Sequence, residues 1–150
     1  MKKFIKNLIA QINYLLKNQK IPDILNNINI ETTSRCNLKC KFCAYNKRDL
    51  NVVPHETMNN DFFIKVVNQA LEMGYKNIGL TPQTGDIFMD KEVFTKFEYL
   101  DQKKNLEGYY FYTNFIPLNN DKITKIFNLN KLKNFGISIY GYDKESYQSF

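Results

Sequence analysis

The sequence predicts an α/β fold built on a parallel sheet, and three observations carry that expectation. Short apolar alternations are each followed by a longer helical periodicity, four times in succession along the 150-residue chain. That order is what parallel strands joined by crossover helices require. Each predicted strand also leads into a polar loop with unusual residues, and in such sheets the loops after the strand C-termini form the functional face. Finally, 43% of residues are hydrophobic, with ten Tyr and twelve Phe, which suffices for one real core but not for two large ones at this length.

The elements follow in order. Residues 1–26 read as a basic amphipathic helix and linker, and residues 27–150 as the α/β domain. Within the first segment Phe4, Ile5, Leu8, Ile9, Ile12, Leu15 and Leu16 recur at helical spacing, while Asn7, Gln11 and Asn13 interrupt them. The pattern suits a helix packed on the domain, a peripheral membrane contact being the lesser alternative. It lacks the continuous apolar run of a signal peptide or a transmembrane span. Pro22 marks a break. Asn27 to Thr32, with Ile28 and Ile30 on one face, predicts the first strand. Asn60 to Met73 has helical periodicity and Gly74 stands where a C-cap belongs. Asn77 to Thr81 predicts the second strand, followed by the loop PQTGDIFM and a helix capped by Asp90 through Val93, Phe94, Phe97 and Leu100. Tyr109 to Asn114 is the third strand, Asp121 to Leu129 a short helix, and Phe135 to Tyr140 the fourth strand. Asp143 caps a last helix. Periodicity does not decide whether such a sheet curls into a barrel or winds flat. Aromatics in YYFY and FFIK fit core and wall better than a substrate box.

The net charge is +6, from 21 basic and 15 acidic residues. The lysines are scattered over helix faces, with a mild cluster at Lys2, Lys3 and Lys6, and no aromatic–basic interleaving marks a nucleic-acid surface. No nucleic-acid partner is expected. Lys47, Arg48 and Asp49 fit a solvated loop better than an anion site.

The three cysteines, Cys36, Cys40 and Cys43, fall within eight residues. An odd, tight set argues against a disulfide framework and for a metal or cluster in a reducing, cytoplasmic setting. Soft thiolates match iron, and three of them leave one iron of a cubic cluster with an open coordination position. A zinc site completed by His55 is the rival. It lacks the second, well-separated hook of zinc knuckles and ribbons, and His55 is expected on an exposed loop. A redox C-x-x-C pair would leave Cys36 surplus.

The segment ETTSRCNLKCKFCAY resembles the signature of the radical SAM superfamily: a strand, a polar turn, CxxxCxxC, and an aromatic just before the last cysteine. The resemblance implies a partial (β/α) barrel, with residues 27–150 carrying about four of the family's six βα units. It implies that Cys36, Cys40 and Cys43 ligate a [4Fe–4S] cluster. Its free iron would chelate the amino and carboxylate groups of S-adenosylmethionine. Phe42, with the backbone near Ala44 and Tyr45, would border the adenine. Thr84, Gly85 and Asp86 sit where the family has its Gly-Gly-Glu motif, keeping only the glycine of Gly85, and Asp86 is one methylene shorter than Glu. Thr113 and Asn114 resemble the family's TNG turn, with Phe115 in place of glycine. Ser138 and Tyr140 resemble fourth-strand positions that approach the ribose or carboxylate.

By the same resemblance the chain is expected to be an enzyme. It would cleave S-adenosylmethionine reductively to a 5′-deoxyadenosyl radical, with electrons from a donor such as flavodoxin or ferredoxin and a substrate the sequence does not name. The stretch ISIYGYDKESYQSF resembles members with a cysteine-rich C-terminal extension. With four strands and an open edge, the chain is expected to be a fragment, a truncated product, or one whose edge a partner chain covers. The alternatives are a non-catalytic cluster- or S-adenosylmethionine-binding fragment, a zinc-stabilised module, and a non-functional remnant.

Overall fold

The computed structural model describes residues 26–149 together with Ile5 and Ile12. Apart from those two positions, the N-terminal amphipathic helix expected over residues 1–20 lies outside the described residues. Strands β1 (Asn27–Asn29), β2 (Asn77–Gly79), β3 (Gly108–Thr113) and β4 (Leu132–Ile137) form one sheet in that spatial order, every pair parallel. Helices α1 (Asn60–Glu72), α2 (Val93–Asp101) and α3 (Asn120–Phe127) make the three crossovers, and α4 (Lys144–Ser149) follows β4. A doubly wound sheet reverses its strand order at a switch point. Here each strand is laid beside its predecessor, which is the winding of a (β/α) barrel carried through four units. Among the described residues no helix is long and apolar enough to cross a membrane.

Local signals explain most element boundaries. The Asn59 side chain accepts the Phe62 N–H (2.8 Å) and starts α1, which buries Phe63, Val67 and Ala70; beyond its end Gly74 takes φ +94°. Asn119 caps α3 in the same way through Lys122 N–H (3.0 Å). The strands are shorter than the apolar runs. Ile30 N–H still reaches Gly79 O (2.9 Å), but Thr33 then turns away to bridge Thr57, so the chain leaves the sheet.

Strand β4 begins three residues earlier than its most apolar stretch suggests. Pairing decides this: Leu132 stands opposite Tyr109, so β4 starts where β3 starts, and an edge strand tolerates exposed Lys133 and Asn134. Ser138 N–H still bonds Thr113 O (2.8 Å), one step past the strand.

The core lies between the sheet and its helices. Phe97 of α2 stacks on Tyr109 and Phe111 of β3 at 5.5 and 5.3 Å, and Phe88 meets Phe111 edge-on at 5.4 Å. Such pairs add about 1 kcal/mol each beyond the area they bury. A charged pair is buried as well. Lys96 Nζ donates to Asp90 Oδ2 (2.5 Å) and to Met58 O (2.7 Å), with both side chains 1% exposed. Asp90 also accepts the Glu92 N–H (2.9 Å) while neutralising the lysine; the N-cap of α2 is Glu92, which makes no side-chain cap bond, so the cap expected of Asp90 falls two residues before the helix's own. Removing one partner strands the other charge in a dry setting. Lys96→Ala is expected to lower stability by about 3 kcal/mol or more, read as a reduced urea midpoint at unchanged m-value.

Candidate functional site

The cysteines sit on a loop whose neck is closed before its tip begins. Ser34 N–H bonds Glu56 O (2.9 Å), Met58 N–H bonds Thr32 O (2.7 Å), and the Thr33 and Thr57 hydroxyls meet at 2.8 Å. Within the loop the Leu38 N–H points at Cys36 Sγ and the Tyr45 N–H at Cys43 Sγ, both at 3.4 Å. Tyr45 Oη donates to Cys36 O (3.2 Å) and Asn46 Nδ2 to Cys40 O (3.0 Å). A 3₁₀ turn over Ala44–Lys47 completes the wrap.

All three cysteines line one cavity of about 340 Å³, within the range of cofactor pockets. Every other residue that the sequence singles out for the cofactor, save Ala44 and Tyr45, lines the same cavity. Phe42 comes from the cysteine loop, Thr84, Gly85 and Asp86 from the loop after β2, Thr113 and Asn114 from the end of β3, and Ser138 and Tyr140 from beyond β4. Phe42 and Tyr140 meet edge-on at 4.7 Å. The ring of Tyr45 instead stacks on His55 (4.4 Å, 14°). That stack also corrects the exposed position expected for His55, which is half-buried.

Of the further residues that line the cavity, two are aromatic. Tyr112 lies across Gly136, where any Cβ would stand 2.3 Å from its ring, and Tyr147 comes from α4. Strand alternation places Tyr112 on the face opposite Phe111, a signal the sequence offered. Nothing marked Tyr147 before α4 was seen to return to the site.

The loops are tied together at Asp86, which is 2% exposed. Its Oδ2 accepts from Thr113 Oγ1 (2.9 Å) and Asn114 N–H (2.8 Å), and its Oδ1 from Phe88 N–H (3.0 Å). Its own N–H bonds Arg35 O (2.8 Å), one residue before Cys36. Gly85 permits that approach, because a Cβ there would meet the backbone oxygens of Arg35 at 2.8 Å and Thr33 at 2.9 Å. Arg48, expected on a solvated loop, is half-buried and adds a second tie, donating to Val53 O (2.8 Å) and Thr84 Oγ1 (3.3 Å). Phe115 takes φ +69°, a left-handed conformation that costs a bulky residue about 1–2 kcal/mol.

Burial pushes the Cys36 thiol above its ordinary value, the Leu38 N–H partly offsets this, and Asp86, Cys40 and Cys43 raise it further. Among the described residues no group of three or more His, Cys, Asp or Glu side chains is arranged to hold a metal ion. A cubic cluster spreads its thiolates over separate irons, so its ligands need not crowd as those of one zinc ion do. Three thiols opening on one cavity, two of them already accepting N–H groups, fit such a cluster as a donor set.

No family profile and no curated protein sequence matches the chain. Among solved structures it is similar to BtrN in complex with AdoMet and 2-DOIA, with 17% identity and a TM-score of 0.62, over 76% of this chain and 45% of that one. It is also similar to selenomethionine BtrN in an open conformation, with 16% identity and a TM-score of 0.62, over 86% and 55%. The chain thus spans about half the length of BtrN. The likeness is one of fold, a distant radical SAM-like fold.

The packing at Gly85 gives a direct test of how the loops are joined. Gly85→Ala is expected to cost about 1–3 kcal/mol in thermal or urea unfolding, because backbone rather than a flexible side chain must give way. Gly74→Ala, where nothing lies within 4 Å of the added carbon, serves as the control for a glycine constrained by φ alone.

Proposed function

We propose that this chain binds a [4Fe–4S] cluster through Cys36, Cys40 and Cys43 and S-adenosylmethionine beside it, as a radical SAM enzyme or part of one. The observation that carries the reading is the convergence of those thiols with the loops after β2, β3 and β4 on one cavity. The fold likeness to BtrN, whose structure holds AdoMet, supports it. When bound, the cluster supplies one electron that breaks the C5′–S bond, giving methionine and a 5′-deoxyadenosyl radical able to take hydrogen from a substrate.

The chain's own residues bind, orient and seclude. Phe42 and Tyr140 offer an aromatic corner for the adenine, and Tyr112 a further wall. Ser138 and Thr84 offer hydroxyls toward the ribose or the amino-acid end. Most of the acceptor capacity of Asp86 is taken by Thr113, Asn114 and Phe88, so it acts on the cofactor chiefly by fixing those neighbours. The electron would come from a small donor such as flavodoxin or ferredoxin, in the cytoplasm. A binding-only role, with cluster and S-adenosylmethionine held without turnover, is the second reading.

Anaerobic reconstitution with iron and sulfide, then dithionite and S-adenosylmethionine, is expected to give 5′-deoxyadenosine and methionine by chromatography. Cys40→Ala should abolish both cluster colour and product, whereas His55→Ala should retain the cluster. A cluster-loaded chain that binds S-adenosylmethionine without product fits the binding-only role. A colourless protein holding zinc, lost in His55→Ala, would end both readings.

A further inference from the structure

We propose that Asn114 is a positioning residue for Cys36, its side-chain amide holding the first cysteine of the loop against the cavity. The role deepens the cluster reading and rests on it. Asn114 stands at the end of β3, which is separated from β1 by β2, yet its side chain reaches the loop that follows β1. Its Nδ2 donates to Asn37 Oδ1 at 2.9 Å and lies 4.0 Å from Cys36 Sγ. Its Oδ1 accepts the Ile116 N–H at 3.1 Å, which fixes the amide plane and leaves the donor end aimed at the thiol. Its backbone N–H is held in turn by Asp86.

Only a primary amide of this length does both jobs. Aspartate keeps the acceptor for Ile116 but has no proton for Asn37 or Cys36. Alanine loses both ends. The two substitutions therefore separate the donor toward the thiol from the turn that Asn114 builds for itself.

The first measurement uses the full chain, reduced and free of iron. Alkylation of each cysteine by iodoacetamide is followed by peptide mass analysis, with circular dichroism confirming the fold. Both Asn114→Asp and Asn114→Ala are expected to lower alkylation at Cys36 about fivefold at neutral pH, the weight of one modest hydrogen bond to the reactive thiolate, with Cys40 and Cys43 nearly unchanged. The second measurement uses the reconstituted protein. Loss of an N–H donor near a cluster thiolate disfavours the more negative, reduced state, so both variants should show a lower midpoint potential and altered electron paramagnetic resonance.

Unchanged Cys36 alkylation in both variants would overturn the assignment. So would a response in Asn114→Ala that is absent in Asn114→Asp, since the turn and not the donor would then matter. If the unaltered chain takes up no cluster while Cys36 still responds, the cluster reading fails and the hold of Asn114 on Cys36 stands.

Discussion

A carboxylate shielded from water must find its donors inside the protein, and Asp86 draws them from its own loop and from the end of the neighbouring strand β3. Thr113 and Asn114 come from the end of β3, Phe88 from the turn that follows Asp86, and the Asp86 N–H reaches back to Arg35 beside Cys36. Leaving any of these unmade would cost about 1–3 kcal/mol, more where the charge itself is exposed to low dielectric. The cheapest arrangement is the one in which all three strand ends meet. The cavity is thus a consequence of satisfying one buried anion, and its walls are as fixed as that anion is buried.

The same logic separates the two buried acids. Asp90 is neutralised by Lys96, both side chains being buried, so it serves the core. Asp86 has no ion-pair partner of its own among the described residues and is held by neutral donors at the cavity. A negative charge held only by dipoles raises the cost of further negative charge beside it. That is felt at Cys36, whose thiol is pushed upward by burial and by Asp86.

Much of this was legible in the sequence because periodicity and capping report short-range physics. Asn27, Asn60, Gly74 and Asp143 fall at or within a residue of their expected boundaries. The thiol loop was legible for a different reason, since three sulfurs in eight residues have few other uses. Strand ends were less so. Where β4 begins is set by its pairing with β3 and not by its own apolar residues, and no single-strand pattern contains that information. The choice of a barrel-like winding over a flat sheet likewise needed the strand order. His55 was misjudged, because its stacking on Tyr45 joins residues ten apart across a loop with no regular period.

The departures from the resembled motifs also make sense as a set. At the Gly-Gly-Glu position the chain keeps Gly85, whose missing Cβ lets the loop lie on Arg35 and Thr33, and shortens the acid to Asp86. A side chain one methylene shorter turns in to cap the Ile87–Met89 turn and to bind Thr113 and Asn114. At the TNG position the glycine is gone, but the left-handed conformation it would favour is still imposed on Phe115. The strain is tolerable because Thr113 Oγ1, itself donating to Asp86, accepts the Phe115 N–H at 3.0 Å. Asp86 thus offsets the absence of a glycine at position 115, and the turn that presents Asn114 to the cysteine loop is kept with Phe115 in its place.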